Sequence, residues 1–372
     1  MTAPVCDLVL LSWNHLEETQ PCIESLFRTT TVPSRLIIVD NGSEPDVRKA
    51  LAQVKPQSAV QEVILLQNEK NEGFPRGMNR GIRAATAPYV CILNNDLLFT
   101  PGWLEELLAV SQKDPAIGLV NPASSTFGDH PEPGATLDAH AQKLSARRGT
   151  YTEVGMCIGF CVLIKRAVID KIGGLTEEVE RIFFEDEDYS MRAQEAGFLC
   201  VVAEGAYVFH AEHKTVKKMP EREDLFSRNR AWCEKRWGKR LRIAWPLPEL
   251  PEPGSPRLRE CLSRLRGWAR RNNHVYAYAP SGGKSCEPLF RSVGLVPHAD
   301  IHWIPVPPQA SRFSTAVRIL SRRKKPFDLI AAPDKSWESL MNRLGWLHHA
   351  EVVPQNEDKL AEAWKRKSRS PL

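Results

Sequence analysis

The stretch CILNNDLLF, residues 91–99, decides how this chain is read. Val90, Cys91, Ile92 and Leu93 have the character of a buried strand. Asn94, Asn95 and Asp96 end it abruptly, and the chain turns apolar again at Leu97. Three adjacent polar side chains at the tip of a buried strand are costly unless they have partners. The tip is therefore expected to hold something.

Working outward, the same pattern recurs. The runs VCDLVLL (5–11), RLIIVD (35–40) and VILLQN (63–68) read as short strands, each ending on polar residues. Between the first two, Leu16, Ile23, Leu26 and Phe27 fall on one face of a helix. A further helix is expected over 75–86 and another from Pro101. Strands alternating with helices argue for a mostly parallel α/β sheet of the doubly wound type. In such sheets ligands sit beyond the carboxyl ends of the strands. Four polar tips collect there: Ser12-Trp13-Asn14, Asp40-Asn41-Gly42-Ser43, Asn68 through Gly73, and Asn94-Asn95-Asp96.

Residues 121–152, rich in Gly, Pro and His, read as an irregular insertion. A strand and helix resume in GFCVLIKRAVIDKIGGL (159–175), and FFEDEDYSMRAQEAGF (183–198) reads as a helix that ends at Gly197. LCVVAEGAYVFHAEH (199–213) reads as a pair of strands. PLPELPEPGSP (246–256) has five prolines in eleven residues and reads as a linker. Beyond it HVYAYAP, DIHWIPVP, FDLIAAPD and AEVVPQ are strand candidates with helical segments between them. The expected organisation is a catalytic domain over 1–245, the linker, and a second small α/β domain over 257–372.

Composition narrows the class. With 42% hydrophobic and 26% charged residues, 372 residues can bury a sizeable core. No apolar run approaches the ~20 residues that span a bilayer. The N-terminus MTAPVCDLVLLSWN lacks a basic region and reads as a first strand, not as a leader. Nine scattered cysteines without a CxxC pair fit buried thiols in a reducing, cytoplasmic compartment. Net charge is +5, but between Lys214 and Arg271 there are 17 Lys or Arg against 7 Asp or Glu. That basic segment, interleaved with Trp232, Trp237 and Trp245, suggests a peripheral contact with an anionic membrane, at its inner face.

The tips imply chemistry. An Asp at a strand end, with further acids elsewhere, suits a hard divalent cation such as Mg²⁺ or Mn²⁺, which takes oxygen ligands and substrate phosphates. Asp96 offers one ligand and His210, at a strand end, a second. The rival is a zinc site built from His210 and His213. Glu185, Asp186, Glu187 and Asp188 open a helix, where its dipole favours acids. Phe183 and Phe184 set them behind an apolar wall, which would raise a carboxyl towards a general base's working range.

The order of these pieces resembles the family 2 glycosyltransferases, which have the GT-A fold, and in particular rhamnosyltransferase-like members. The matching stretches are VLLSWNHLEETQPCIESL, LIIVDNGSEPD, NEGFPRGMNRGI, YVCILNNDLLFTPGWLEEL, GFCVLIKRAVIDKIGGL and FFEDEDYSMRAQEAGF, together covering about residues 5–215. The resemblance implies an inverting transfer of a sugar from a nucleotide-diphosphate donor of UDP or dTDP type to a glycan, lipid-linked or protein acceptor, with no nucleic acid partner, in surface polysaccharide synthesis. It places the base and ribose against Ser12, Asn14, Asp40 and Asn41. Asn71, Gly73 and Asn79 lie along the ribose and diphosphate, with Arg76 towards a phosphate. Asn94-Asn95-Asp96 stands in place of the DxD metal motif, with His210 completing the shell. Asp186 matches the catalytic base, supported by Glu185, Asp188 and Arg192. KKPFDLIAAPDKSWESLMNRLGW (324–346) is faintly similar to the first half of GT-B transferases, which implies an accessory domain. Two other functions compete. A degenerate nucleotide- or glycan-binding scaffold is favoured by the NND tip and disfavoured by the intact acid cluster, and a metal-dependent nucleotidyltransferase is disfavoured because LLSWNHLEE has no Gly- and Lys/Arg-rich loop.

Overall fold

A computed structural model describes residues 3–211, 220–280, 283, 285–307, 311–322 and 324–369. His213 and the lysines at 214, 217 and 218 lie outside the described residues, and with them the zinc reading. The chain divides into two bodies: residues 1–152 with 156–233, and residues 153–155 with 234–372.

The first body is built on β1 (Cys6–Ser12), β2 (Ser34–Asp40), β3 (Val60–Gln67), β4 (Tyr89–Leu93), β5 (Leu97–Phe99), β6 (Ile117–Ala123), β7 (Tyr151–Glu153), β8 (Cys161–Lys165) and β9 (Leu199–His210). They form one sheet in the order β3-β2-β1-β4-β8-β6-β9-β5, with β7 beside β9. The helices are α1 (Leu16–Thr29), α2 (Pro45–Leu51), α3 (Phe74–Ala84), α4 (Trp103–Gln112), α5 (Leu137–Leu144), α6 (Arg166–Ile172), α7 (Glu185–Glu195) and α8 (Arg222–Trp237), the body ending within α8. β1 to β4 are parallel, and β8 runs antiparallel between β4 and β6.

Alternation along β1, β2 and β4 explains the layers. Leu8, Leu10, Leu36, Ile38, Cys91 and Leu93 face one core, shared with Cys22 and Leu26 of α1. Val9 and Val39 face α3. A Cβ on Gly81 would stand 2.2 Å from Val9 Cγ1, so α3 approaches the sheet as closely as it does only because position 81 is glycine.

Register then aligns the tips. Ser12 lies opposite Asp40, Asp40 opposite Gln67, and Leu10 opposite Leu93. β8 pairs Cys161 with Leu93, and the Asn94 amide donates to Phe160 O at 2.8 Å. β9 is a single twelve-residue strand, not the expected pair. Its pairing with β6 slips between Pro122 and Ala123, and its last residues pair with β5, Leu97 opposite His210. Residues 121–152 are also more ordered than expected: Asn121–Ala123 complete β6, and α5 and part of β7 follow.

The second body holds β10 (Arg242–Pro246), β11 (His274–Pro280), β12 (Ile301–Val306), β13 (Leu329–Ala332) and β14 (Glu351–Pro354). It also holds α9 (Pro256–Arg270), α10 (Glu287–Ser292), α11 (Ser311–Leu320), α12 (Lys335–Arg343), α13 (Gly345–His348) and α14 (Glu357–Ser368). Its sheet is entirely parallel, in the order β12-β11-β10-β13-β14. The expected boundary at 245/246 moves accordingly. Ile243 and Trp245, both buried, belong to the second core, so the proline-rich stretch joins β10 to α9 and does not separate the domains. A strand of five residues among arginines carries too little periodicity to be recognised. The expected mostly parallel α/β sheet, with a second small α/β body, is observed.

One buried carboxylate ties the start of the first sheet together. Asp7 is fully buried and accepts from Arg35 Nε (2.8 Å), Arg35 Nη2 (2.9 Å) and the amides of Thr86 (2.6 Å) and Ala87 (2.8 Å). Asp7→Asn leaves the half-buried Arg35 with only the exposed Glu62, 3.7 Å away, as a charged partner, and removal of one member of a buried pair costs about 3–5 kcal/mol. Urea unfolding of the variant checks this; a loss below about 1 kcal/mol would mean that the amide replaces the carboxylate there.

Candidate active site

Two clusters face one cleft of about 420 Å³ in the first body. The first is the tip of β4. Asp96 Oδ1 lies 3.2 Å from His210 Nε2, and the two side chains are 11% and 13% exposed. The β5–β9 pairing brings them together, reinforced by the Ala211 amide donating to Asp96 O at 3.1 Å. The imidazole is fixed from three sides: its Nδ1 lies 2.8 Å from Thr126 Oγ1, its ring stacks on Phe160 at 5.1 Å and 12°, and Asn94 Nδ2 lies 3.4 Å from Nε2. A hydrogen-bonded second nitrogen that sets the ring's orientation is the usual companion of a metal-binding histidine. One carboxylate and one imidazole suit Mg²⁺ or Mn²⁺ sharing the rest of its shell with water and phosphate. Among the described residues no third His, Cys, Asp or Glu joins the pair; the only such cluster of three is His15, Glu17 and Glu18, elsewhere on the surface.

The second cluster opens α7. The chain enters this helix through three non-glycine residues with left-handed backbones: Arg181 (φ 54°), Phe183 (φ 80°) and Phe184 (φ 70°). Bulky side chains avoid this region, so the turn stores strain that its surroundings must hold. Asn229 of α8 does so, donating from Nδ2 to Glu180 O (2.9 Å) and Ile182 O (2.8 Å). Phe226, one turn earlier in α8, packs on both phenylalanines at 5.4 and 5.1 Å between ring centres.

Asp186 lines the cleft. Its Oδ2 accepts from the Gly159 amide (3.1 Å) and its Oδ1 from the Glu187 amide (2.9 Å), which orients the carboxylate while burial raises its pKa. Glu185 is 5% exposed, and burial together with the neighbouring Asp186 pushes its pKa up to about 8. Its Oε2 is buried with no hydrogen-bond partner, as expected of a carboxyl that holds its proton. Asp188 sits differently. It is fully buried and receives Arg192 Nε at 2.7 Å, while the guanidinium also donates to Ile172 O and Gly174 O. Asp188 and Arg192 therefore lock α7 onto the turn after α6 and do not line the cleft.

The residues expected to contact a donor divide similarly. Asp40 Oδ1 accepts from the Ser43 amide at 2.9 Å, while its buried Oδ2 accepts no hydrogen bond and lies 3.5 Å from Arg48 Nε. It keeps an acceptor to offer. Asn41 does not: its Nδ2 donates to Asn71 Oδ1 (3.0 Å) and Gly73 O (3.2 Å), and its Oδ1 accepts from Asn68 Nδ2 (2.8 Å) and the Glu72 amide (3.1 Å). Asn71 closes the same knot by accepting from the Gly73 amide. Gly73 (φ 85°) is required, since a Cβ there would meet Arg181 Cα at 2.8 Å. The Ser12 hydroxyl is engaged with Thr19 at 3.2 Å, and Asn95 donates to that same Thr19 hydroxyl at 2.8 Å. The Asn14 amide donates to Ser43 Oγ and its Oδ1 accepts from the Glu44 amide. Asn79 is buried and pins α3 to Leu175 and Glu177, and Arg76 is exposed, 3.7 Å from Glu177. Most of these side chains build the loop frame, and Asp40 stands apart in holding a fully buried oxygen that accepts no hydrogen bond. Phe160, Thr126, Gly159 and Phe226 were not visible as site residues in the sequence, because only the register and the α8 packing bring them to the cleft.

Residues 7–173 match the family model described as Glycosyl transferase family 2. The chain is 24% identical over 254 residues to an uncharacterized protein, y4gI, of Sinorhizobium fredii, covering 63% of this chain and 28% of that one. It is 25% identical over 254 residues to an N-acetylglucosaminyl-diphospho-decaprenol L-rhamnosyltransferase of Mycobacterium tuberculosis, covering 58% of this chain and 78% of that one. Among solved structures, a mannosyltransferase of Pyrobaculum calidifontis in complex with GDP-Man and Mn²⁺ superposes with a TM-score of 0.44 at 16% identity, covering 58% of this chain and 59% of that one.

The raised pKa of Glu185 has a measurable sign. Below the ordinary value of 4.5 the carboxyl is protonated in folded and unfolded chains alike. As pH rises towards about 8 the unfolded chain releases this proton and the folded chain retains it, so stability falls across that window and then levels off. Each unit of such a shift corresponds to about 1.4 kcal/mol. Glu185→Gln is expected to flatten this slope and to exceed the wild type in stability at pH 8. Thermal melts between pH 5 and 9 decide it: parallel curves for the two proteins would show that Glu185 ionises normally.

Proposed function

We propose that this protein is an inverting glycosyltransferase that moves a sugar from a nucleoside-diphosphate donor of UDP or dTDP type to a hydroxyl of a glycan, lipid-linked or protein acceptor, in cell-surface polysaccharide synthesis on the cytoplasmic side of the membrane. The observation that carries this reading is that Asp186 and the Asp96–His210 pair line the same cleft. Asp40, with its unsatisfied buried oxygen, is the candidate for recognising the base.

In this mechanism the acceptor hydroxyl donates its proton to Asp186. The oxygen attacks the anomeric carbon from the face opposite the diphosphate, and the C–O bond to the diphosphate breaks with inversion. The Gly159 and Glu187 amides hold the carboxylate in place for that transfer. Glu185, by keeping its proton, spares Asp186 a second negative charge alongside it. Asp96 and His210 would hold Mg²⁺ or Mn²⁺, which would offset the charge on the leaving diphosphate. A second reading, a nucleotide-binding protein without catalysis, draws on the tip's single carboxylate where two are usual. A panel of UDP-, dTDP- and GDP-sugars, read by thermal shift and by release of the nucleoside diphosphate, separates the two.

Asp186→Asn keeps the shape and removes the proton acceptor. Its turnover is expected to fall by about 10²–10⁴, the scale of a general base, with donor-induced thermal shift retained. Wild-type turnover in this variant would exclude Asp186 as the base.

Asp96→Ala is expected to weaken binding of the intact donor in Mg²⁺ or Mn²⁺ by about tenfold or more while leaving nucleoside binding nearly unchanged, since metal and diphosphate meet at this side chain. Calorimetric titration with and without EDTA measures it; activity indifferent to EDTA would make Asp96 a structural residue.

A further inference from the structure

The tryptophans expected to carry a membrane contact are otherwise engaged. Trp245 is 1% exposed in the second core. Trp232 is half-buried and donates to Glu178 Oε2 at 3.1 Å, and Trp237 lies under the Arg236 guanidinium. A different surface presents more exposed apolar side chains. On α11, Phe313 and Val317 stand one turn apart, 76% and 47% exposed. Trp346 of α13, which packs beside α11, is 72% exposed. Phe313 and Trp346 are the most exposed large apolar side chains among the described residues. Large apolar groups gathered in this way mark a contact surface more often than an ordinary solvated face.

Its surroundings are positive. Residues 311–327 contain six Arg or Lys and no acid. Arg312, Arg318, Lys324, Lys325 and, on α12, Arg343 are exposed, and Arg322 is half-buried. None of these six described cations lies within ion-pair distance of a carboxylate among the described residues. Three of them are held by neutral groups: Arg318 donates to Pro305 O at 2.9 Å, Arg322 lies over the rings of Tyr276 and Phe327, and Arg312 lies 5.8 Å over Trp337. The nearby acids belong to α12. Asp334 caps that helix through the Trp337 amide and feels the Arg312 charge, and Glu338 is one turn on. Protruding Phe and Trp tips on a face that carries exposed cations outside ion-pair distance of carboxylates match a bilayer interface, where apolar tips enter the headgroup–acyl boundary and Lys or Arg meet anionic headgroups. A protein partner of this surface would have to bring a comparable number of carboxylates, whereas an anionic bilayer supplies them at any orientation.

We propose that the α11–α13 face of the second body docks onto anionic lipid bilayers, with Phe313, Val317 and Trp346 as the inserted groups and the flanking cations as the electrostatic contact. This does not depend on the transferase reading, and the residues concerned lie outside the cleft.

The test uses the full chain in co-sedimentation with vesicles of phosphatidylcholine alone or containing roughly 30% phosphatidylglycerol. The anionic vesicles are expected to bind about tenfold more protein, and salt near 0.5 M to reverse it. Phe313→Ser with Trp346→Ser is expected to lower that binding about tenfold at an unchanged melting temperature, because both side chains are exposed. Lys324→Glu with Lys325→Glu is expected to lower it comparably. Equal partition to neutral and anionic vesicles overturns the proposal, as does full binding by the Phe313/Trp346 variant. Light scattering that finds a wild-type dimer dissociated by the same variant assigns the face to a second copy of the chain, which also overturns it.

Discussion

The antiparallel pairing of Leu97–Phe99 with Val208–His210 is the contact on which the candidate site depends. Asp96 and His210 are far apart in sequence, and nothing local draws them together. The short β5 ladder does, placing one carboxylate and one imidazole 3.2 Å apart at the edge where the parallel strands end. β8, inserted antiparallel beside β4, brings Phe160 under the imidazole and the Gly159 amide to Asp186. The two clusters thus face one another because a mostly parallel sheet admits two reversals of direction at one end.

The same region concentrates what folding disfavours. Buried Glu185 and half-buried Asp186 are adjacent at the start of α7, and the chain reaches them through three left-handed residues that glycine would occupy more easily. These terms oppose stability, and they persist because α8 clamps the turn from outside with Asn229 and Phe226. Asp188 and Arg192 do the corresponding work on the inner side, as a buried ion pair whose guanidinium also satisfies two carbonyls. Asp188 and Arg192, one turn apart, thus anchor the helix start that carries Glu185 and Asp186.

Much of this was legible in the sequence, and the reasons differ by element. Strands such as Arg35–Asp40 and Val90–Leu93 declare themselves by apolar runs closed by polar tips, and parallel order follows from their alternation with helices. Asp96, His210 and Asp186 could be singled out because ionisable residues at strand ends and behind paired phenylalanines are poorly explained by packing alone. Asn41, Asn71 and Asn79 illustrate the opposite case. A polar side chain at a tip has the same appearance in sequence whether it faces a ligand or closes a loop, and only the partner list separates the two. β10 was missed because Arg242–Pro246 offers five residues among arginines, with its burial supplied entirely by strands that come later in the chain. The exposure of Phe313 and Trp346 was equally hidden, since each sits in a pattern that a buried helix face would share.

The saturated side chain of Asn41 has a consequence over long times. Asn41 is followed by Gly42, and an Asn-Gly pair in a flexible chain is the dipeptide most prone to spontaneous deamidation, because glycine leaves the next backbone nitrogen free to attack the side-chain amide. In the folded protein both amide hydrogens are engaged and the Gly42 backbone is wedged against Lys70, so the attack geometry is withheld. An unfolded molecule has no such protection. Ageing in that state converts the amide to a carboxylate, which presents acceptors where Asn71 Oδ1 and Gly73 O require donors. The loop knot then lacks the two hydrogen bonds that the Asn41 amide donates. Position 41 is thus a chemical clock that runs while the chain is unfolded and is stopped by the hydrogen bonds of the folded loop.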